Sequence, residues 1–279
     1  MSGAPPSTWQ AFVRPVHDAA KLYLAGVAIA RAADWAERAG PRAVADWTGQ
    51  PAEVLLALRT EKKRQDRLAG RIAARMALRA CWPEGPLESI PLVEVREDGP
   101  RSGQPHLGAG LDQAWGISIS HAGDRAVAVV GPPGVGIDID EVAPRGEAFL
   151  ALTFSSAERE QVTRVADAWG LDEAGTVTLQ WCAKEAVLKR LGVGLRAALQ
   201  EVEVHVPAEP PGPLGLERMA GDLWSLLPLT RACTVWVRYG EDLEHLVRGA
   251  RAEPLALYAA SDGAYAYAVV QGSEARDAC

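Results

Sequence analysis

Two acidic residues alternate with isoleucine in one short segment of the chain. In Gly136-Ile137-Asp138-Ile139-Asp140, a β-strand would place Asp138 and Asp140 on the same face, about 7 Å apart. Two carboxylates on an otherwise apolar strand are costly unless they are solvated, protonated or bridged by a cation. Two interpretations remain open at this point: either the strand end reaches solvent, or the carboxylates bind Mg²⁺ shared with a phosphate substrate.

A third carboxylate lies downstream, in a segment with helical character. Trp181, Glu185 and Lys189 are spaced by four residues, so a helix would place them on one face. Glu185 and Lys189 could form a surface ion pair, which contributes little to stability. Alternatively, Glu185 joins the two strand carboxylates and Lys189 meets an anionic ligand.

A histidine follows an alternating segment just before the acidic strand. Ser118 and Ser120 alternate with Ile117 and Ile119, which predicts a half-buried strand that ends at His121. A histidine at a strand end is usually exposed or capped. Because the acidic segment follows closely in the chain, both could instead line one cleft.

A run of basic residues marks a predicted helix in the first part of the chain. The run begins at Lys62, Lys63 and Arg64 and continues every four residues with Arg67, Arg71, Arg75 and Arg79. At this spacing the last four form one stripe along a helix, where like charges repel. The stripe is either a solvated face or a surface that meets something anionic.

The elements that position these residues are predicted from periodicity and turn signals. Helices are predicted over residues 17–39, 51–80, 147–169 and 177–191, with Ser155 or Ser156 as the N-cap of the third. Strands are predicted over residues 115–120, 125–130, 135–140, 201–206, 234–239 and 265–270. Neighbouring hairpins mixed with helices indicate an α+β fold. Gly131-Pro132-Pro133-Gly134 is the candidate boundary between two halves.

Composition narrows the functional classes. With 29 basic and 36 acidic residues the net charge is −7, which argues against a general nucleic-acid binder. The four cysteines form no CxxC pair, so neither a zinc site nor a disulfide framework is indicated. No apolar run approaches the length of a membrane span, and we interpret the short run from Leu22 to Ala30 as part of a cytoplasmic amphipathic helix rather than a signal peptide.

Together these segments resemble the Sfp-type 4′-phosphopantetheinyl transferases. The basic helix, the Gly-x-Pro turn, the Ser-His strand, GIDID and WCAKEAVLK occur in that order over roughly residues 60–206. The resemblance implies two pseudo-duplicated α+β halves, residues 1–132 and 135–279, with the active site between them. It also implies a monomer that transfers the 4′-phosphopantetheine arm of coenzyme A (CoA) to a serine of an apo acyl or peptidyl carrier protein, with Mg²⁺ as cofactor.

The resemblance assigns roles residue by residue. Asp138 and Glu185 correspond to Mg²⁺ ligands, with Asp140 as a third ligand, direct or through water. Lys62 corresponds to the residue that meets the CoA 3′-phosphate, and Arg64 and Arg71 support it. The turn on the adenine side of CoA corresponds to Arg101, Gly103, Gln104 and Pro105. The remaining CoA contacts correspond to Ser120, His121, Lys184 and Lys189.

The same resemblance implies a mechanism, and the expected carrier protein would need a docking surface on this chain. Glu185 would take the serine proton, while Lys189 and His121 would stabilise the departing 3′,5′-ADP. The carrier protein would dock through Arg145, Arg159 and Arg164, or through Phe149 and Phe154, although solvated arginines and buried phenylalanines are the simpler interpretations. Two other functions remain open: a non-catalytic module that binds CoA or a carrier protein, and another Mg²⁺-dependent phosphotransferase or hydrolase, although the chain has no GxxxxGK[ST] phosphate loop.

Overall fold

The computed structural model describes residues 22–50, 53–54, 57–82, 89–99, 102–108, 110–194, 197–207, 212–213, 231–241, 243 and 252–272. These residues divide into two compact units, with the division between Pro133 and Gly134. Both units combine helices with antiparallel sheets, so the predicted mixed α+β class is confirmed. Among the described residues, no helix is both long enough and apolar enough to span a lipid bilayer.

The first unit is built on a three-stranded antiparallel sheet. Its elements are β1 (Tyr23–Ala28), α1 (Ile29–Thr48), α2 (Glu61–Cys81), β2 (Val93–Val95), β3 (Pro105–Leu107), β4 (Gly116–Ala122) and β5 (Arg125–Gly131). The sheet order is β1-β5-β4, and β2 pairs with β3 in a separate hairpin. Helix α2 approaches β4 closely at Gly70, where a Cβ atom would lie 2.9 Å from the Ile119 side chain. The absence of a side chain at Gly70 therefore sets the distance between this helix and the sheet.

The second unit contains a larger sheet of six strands. Its elements are β6 (Gly136–Glu141), α3 (Glu147–Thr153), α4 (Ser156–Trp169), α5 (Glu173–Leu191), β7 (Val202–His205), β8 (Gly212–Pro213), β9 (Arg231–Tyr239), β10 (Ala252–Ser261) and β11 (Tyr265–Gly272). The sheet order is β6-β11-β10-β9-β7, with β8 also paired to β9. Helix α5 covers this sheet, and its apolar side chains, such as Val187 and Leu188, are fully buried.

Glycine permits the closest approach in the second unit. A Cβ atom at Gly136 would collide with the backbone carbonyl of Ala186. The first residue of the acidic strand therefore lies directly against the helix that carries Glu185. Backbone cannot move as a flexible side chain can, so any other residue at this position would push α5 away from β6.

The first predicted helix is wrong in its first part. The described residues from 23 to 28 form strand β1, and the helix runs from Ile29 to Thr48 with a non-helical residue at Gly40. Leu22, Leu24, Ala25 and Val27 are all buried. A strand buried on both faces has no apolar-polar alternation, so periodicity could not distinguish it from a helix.

Other predicted elements differ at their boundaries. Residues 147–169 form two helices rather than one, because Phe154 and Ser155 adopt extended backbone. Of the two predicted N-cap candidates, Ser155 caps α4, and it forms a capping box with Glu158. Helix α5 begins at Glu173, earlier than predicted, and helix α2 begins at Glu61, later than predicted. Strand β10 was not predicted, and Ser118 and Ser120, predicted on an exposed face, are buried.

Candidate functional site

Strand β6 and helix α5 bring the predicted acidic residues together in the second unit. Asp138 and Asp140 occupy alternate positions of β6, opposite Ala268 and Ala266 of β11. Asp138 is 6% exposed, whereas the side chain of Asp140 is 27% exposed. Glu185 is 8% exposed. The two small alanines of β11 leave the carboxylates on this face without a covering side chain from that strand.

Both strand carboxylates contact a cationic side chain. Lys189 Nζ donates to Asp138 Oδ1 at 2.6 Å, and Arg145 Nη2 donates to Asp140 Oδ2 at 2.6 Å. The backbone N–H of Glu141 also donates to Asp140 Oδ1 at 2.8 Å. The predicted lysine is therefore at the acidic cluster, bonded to the strand carboxylate.

Within the described part of the chain, Glu185 has a carboxylate oxygen without a hydrogen-bond partner. Its Oε1 atom is buried and has no hydrogen-bond partner among the described residues. The pKa of Glu185 is raised to about 7, mainly by burial and then by the carboxylates of Asp138 and Asp140, against the opposing effect of Lys189. A carboxyl with this pKa exchanges its proton near neutral pH, which is a property of general acids and bases.

A metal ion is chemically compatible with this acidic cluster. Carboxylate oxygens are the ligands that Mg²⁺ prefers, and the unpartnered Oε1 of Glu185 offers a free donor atom. As arranged here, however, the described residues contain no group of three or more His, Cys, Asp and Glu side chains spaced to hold a metal ion. The cations now beside the cluster are Lys189 and Arg145.

A buried cysteine lies near the strand carboxylates. The Cys182 thiol is fully buried and donates to the carbonyl oxygen of Ala266 at 3.4 Å. Burial raises the pKa of this thiol well above its usual range, and the carboxylates of Asp138 and Asp140 act in the same direction. Because only the thiolate is strongly nucleophilic, Cys182 acts here as a small packing residue rather than as a nucleophile.

Lys184 does not belong to the acidic cluster, which corrects the prediction that it contacts CoA. Its side chain is fully buried and its ammonium donates to three acceptors, Thr153 O at 2.6 Å, Glu158 Oε2 at 2.7 Å and Leu199 O at 3.2 Å. An ammonium has three protons, so none remains for a diphosphate. Helix geometry explains the result, since neighbouring residues 184 and 185 point about 100° apart.

In the first unit, helix α2 and strand β4 line a cavity of about 440 Å³. Four of the predicted CoA residues are in its lining, namely Arg71, Gly103, Pro105 and His121. Three charged lining residues were not assigned a role from the sequence, namely Lys63, Asp66 and Arg67. Arg67 belongs to the basic stripe and Lys63 to the run before it, so the basic pattern of the sequence included both. Asp66 interrupts that run, and the sequence pattern gave no reason to assign it a role.

Asp66 joins two of the predicted CoA residues. Lys62 Nζ donates to both Asp66 oxygens, at 3.2 and 3.1 Å, and His121 Nδ1 lies 3.7 Å from Asp66 Oδ2. The Asp66 side chain is 9% exposed, whereas Lys62 is 68% and His121 48% exposed. The structure thus brings Lys62 and His121 together around one carboxylate.

The basic stripe is neither wholly solvated nor wholly directed at an anion, which corrects both interpretations. Arg71 and Arg75 are buried, and both donate to backbone carbonyls at or just before β2. Arg71 donates to Val93, the first residue of β2, and Arg75 donates to Ile90 at 2.7 Å and Pro91 at 2.8 Å. Burial, with repulsion from Arg67, lowers the pKa of Arg71 to about 10. These two guanidinium groups hold the β2–β3 hairpin onto α2.

The other predicted residues occupy different places. Arg64 pairs with Glu61 at 2.8 Å and donates to the Leu58 carbonyl at 2.8 Å, at the start of α2. Gly103 has a left-handed backbone (φ 87°) and donates to the Arg96 carbonyl, and Gln104 accepts from the Arg96 N–H. Ser120 is buried on β4, opposite Val127. Arg101 lies outside the described residues.

The residues proposed for docking are largely engaged within the chain. Arg145 pairs with Asp140 and lies 5.2 Å above the Phe149 ring, and Arg159 pairs with Glu147. Phe154 is 3% exposed and lies beside the Lys184 ammonium, so its simpler interpretation as a core residue is the correct one. Phe149, which is half-buried, packs edge-on against Trp181.

Comparison with known proteins supports the family resemblance that the motifs predict. Residues 134–235 match the family model described as the 4′-phosphopantetheinyl transferase superfamily, and that range includes both β6 and α5. The chain is 26% identical over 181 residues to the L-aminoadipate-semialdehyde dehydrogenase-phosphopantetheinyl transferase of Rattus norvegicus, and 27% identical over 178 residues to that of Homo sapiens. These alignments cover 57% and 56% of this chain and the same shares of the two relatives.

The chain thus spans little more than half the length of the curated relatives that it matches. The matched family region nevertheless contains Asp138, Asp140, Glu185 and Lys189, which carry the resemblance inferred from the motifs. The resemblance to the 4′-phosphopantetheinyl transferase superfamily is thereby confirmed, on the family match over residues 134–235 and on these relatives.

Proposed function

We propose that this chain transfers the 4′-phosphopantetheine arm of CoA to a serine of an apo acyl or peptidyl carrier protein, in a Mg²⁺-dependent reaction that releases 3′,5′-ADP. The observation that carries the proposal is the buried Glu185 carboxyl, with one unpartnered oxygen among the described residues and a pKa of about 7. It lies close enough to Asp138 and Asp140 for both to raise that pKa. The match to the superfamily model over residues 134–235 and the names of the similar proteins support the same reaction.

The three carboxylates are the proposed Mg²⁺ ligands. Asp138 and Glu185 would hold the ion, with Asp140 as a third ligand, direct or through water, because Arg145 already engages Asp140. Bound there, the ion would neutralise the charge that develops on the diphosphate during transfer. Lys189, which donates to Asp138, is placed to contact the same diphosphate.

The chain's own residues supply proton transfer and charge stabilisation. As the serine oxygen bonds to the β-phosphorus of CoA, the bond from that phosphorus to the bridging oxygen breaks, and 3′,5′-ADP leaves with its electron pair. Glu185 is the proposed acceptor of the serine proton, since its Oε1 atom has no hydrogen-bond partner among the described residues. Lys189 and His121 are proposed to stabilise the negative charge of the departing group.

The cavity of the first unit is proposed to hold the nucleotide end of CoA. Lys62 would meet the 3′-phosphate, and Lys63 and Arg67 add positive charge along the same helix. Gly103 and Pro105, at the β3 turn, line the cavity as expected for residues on the adenine side.

The topology of the units supports the proposal of pseudo-duplicated halves. In each unit the first strand pairs with the last strand, which in turn pairs with the strand before it: β1-β5-β4 in one and β6-β11-β10 in the other. A long helix, α2 or α5, packs on that sheet in each unit. The predicted location of the active site between the halves stays a prediction.

A second candidate function is a non-catalytic module that binds CoA or a carrier protein. The specific observation in its favour is that Lys189 and Arg145 each form an ion pair with one of the three carboxylates. In that case CoA would bind, but no phosphopantetheine would be transferred.

The deciding experiment is the intact mass of an apo carrier protein after incubation with this protein, CoA and Mg²⁺. We expect a mass gain of one phosphopantetheine arm that is abolished by chelator, by the Glu185→Gln variant and by replacing the carrier serine with alanine. CoA binding without a mass gain across acyl and peptidyl carriers would favour the non-catalytic module. Neither binding nor transfer would contradict both functions.

A further inference from the structure

A buried acidic side chain lies in a cavity that is proposed to bind an anion. Asp66 lines the cavity of the first unit beside Lys63, Arg67 and Arg71, and its side chain is only 9% exposed. In a site for phosphate, a negative side chain lowers the local positive potential and would weaken binding if it acted through its charge alone. Its presence there needs another explanation.

The contacts of Asp66 suggest that explanation. Its two oxygens accept hydrogen bonds from Lys62 Nζ one turn earlier on α2, and Oδ2 faces Nδ1 of His121 at the end of β4. Both partners are long or flexible, and both are about half exposed or more. Asp66 itself lies on a helix that packs closely on β4 at Gly70, so the backbone that carries this carboxylate lies against the strand that ends near His121.

We propose that Asp66 is a positioning residue that orders Lys62 and His121 for the anionic end of the ligand. The inference rests on the proposed function, in which these two residues contact CoA. A carboxylate that faces Nδ1 favours one orientation of the imidazole ring. The two hydrogen bonds to Lys62 hold an exposed, rotamer-rich side chain in one place before the ligand arrives, which reduces the entropy lost on binding.

The Asp66→Asn variant separates positioning from charge. Loss of the negative charge alone would make CoA bind more tightly, whereas loss of positioning makes it bind more weakly. We expect the Kd of CoA, measured by calorimetry in the absence of any carrier protein, to rise about tenfold, since hydrogen bonds to charged groups are worth about that much. An unchanged or lower Kd would overturn the proposal.

The matched control is Asp46→Asn. Asp46 pairs with Arg42 at the same i,i+4 spacing, but on the exposed surface of α1 in the same unit, so this variant changes the net charge equally. We expect its CoA affinity to equal that of the parent chain. Equal weakening in both variants would show a general charge effect and would contradict a positioning role.

Coupling between the residues gives a readout that a merely structural role would not move. In a Lys62→Met background, Asp66→Asn should weaken CoA binding by a factor well below its effect in the parent chain, because one of its two partners is already gone. Asp66→Glu should restore part of the affinity lost in Asp66→Asn. Full additivity with Lys62→Met, with unchanged melting temperatures, would overturn the proposal.

The outcome also distinguishes the proposal from the function on which it rests. If the parent chain binds CoA and Asp66→Asn binds it equally well, positioning by Asp66 is wrong and the proposed function stands. If the parent chain itself does not bind CoA, the proposed function is wrong and the inference about Asp66 is contradicted along with it.

Discussion

At the residue scale, ionisation of Glu185 lowers the stability of the folded chain by an amount that depends on pH. Its ordinary pKa is 4.5, and burial beside two carboxylates raises it to about 7 in the folded chain. Below pH 4.5 the group is protonated in both states and costs nothing. As pH rises from 4.5 to about 7, the unfolded chain ionises first, so the folded state loses stability relative to it.

Glu185→Gln should therefore be more stable than the parent chain at high pH in the absence of metal. A shift of this size corresponds to about 3 kcal/mol at most, so we expect a gain of about 1 to 3 kcal/mol near pH 8 that shrinks towards pH 5. Urea unfolding in chelator at both pH values measures it. Addition of Mg²⁺ should reduce the difference in free energy of unfolding between the two chains, because the ion stabilises only the parent chain. A difference that does not depend on pH would contradict the raised pKa.

The two strand carboxylates should not contribute equally to activity. Asp138 is nearly buried and bonded to Lys189, whereas Asp140 is more exposed and bonded to Arg145. Asp138→Ala should reduce turnover by at least about a hundredfold, and Asp140→Ala by about tenfold or less, since a partly exposed ligand is more easily replaced by water. Steady-state transfer to a carrier protein measures both, and the reverse order would contradict the ligand assignment.

At the scale of elements, the contact between β6 and α5 holds the acidic cluster together. The carbonyl of Ala186 occupies the space that a side chain at residue 136 would need. Gly136→Ala should therefore lower the free energy of unfolding by about 2 kcal/mol or more, since neither backbone can yield without strain. Transfer activity should fall as well, because Glu185 moves with the helix. Chemical denaturation and the mass assay measure the two effects.

Gly146→Ala is the control for that substitution. Gly146 precedes α3 with an ordinary backbone conformation, and a Cβ atom there would meet nothing within 4 Å. We expect little change in stability or activity. If both alanine variants behaved alike, the close approach of β6 and α5 would not be the cause.

The buried Lys184 and Glu158 pair makes a second prediction at this scale. Lys184→Met leaves the Glu158 carboxylate buried without its cation, and such losses cost about 3 to 5 kcal/mol. The double variant Lys184→Met and Glu158→Gln removes both charges and should recover part of that stability. If the double variant were destabilised by the sum of the losses in the two single variants, this account would be contradicted.

The sequence predicted the elements that carry the acidic cluster better than it predicted the surroundings. Strand β6 and helix α5 were predicted because alternation and helical spacing place polar groups at regular positions. Burial of Lys184 was not predicted, because its partner Glu158 lies 26 positions away and no local pattern links them. Asp66 was missed for a similar reason, since its contact with His121 joins a helix to a distant strand.

At the scale of the whole molecule, charge gives little help in finding a partner. The chain carries a net charge of −7, so it does not attract an acidic carrier protein at long range. We expect kcat/KM for an acidic carrier to change by less than about threefold between low and physiological salt. The amount of modified carrier protein, measured by mass spectrometry at set reaction times and several salt concentrations, tests this. A steep loss of activity with salt would instead indicate a concentrated basic docking patch.

The hydrogen bonds around Glu158 have a consequence for how the second unit opens. Its carboxylate accepts from the backbone of Ser155 and Val204 and from Lys184, while Lys184 also holds the carbonyls of Thr153 and Leu199. The end of α3, the start of α4, the middle of α5 and strand β7 are thereby tied to one buried ion pair. Separating any one of them exposes an uncompensated charge, so fraying of a single element is suppressed. Their amide protons should exchange with solvent through one shared opening event, at one common free energy, rather than element by element.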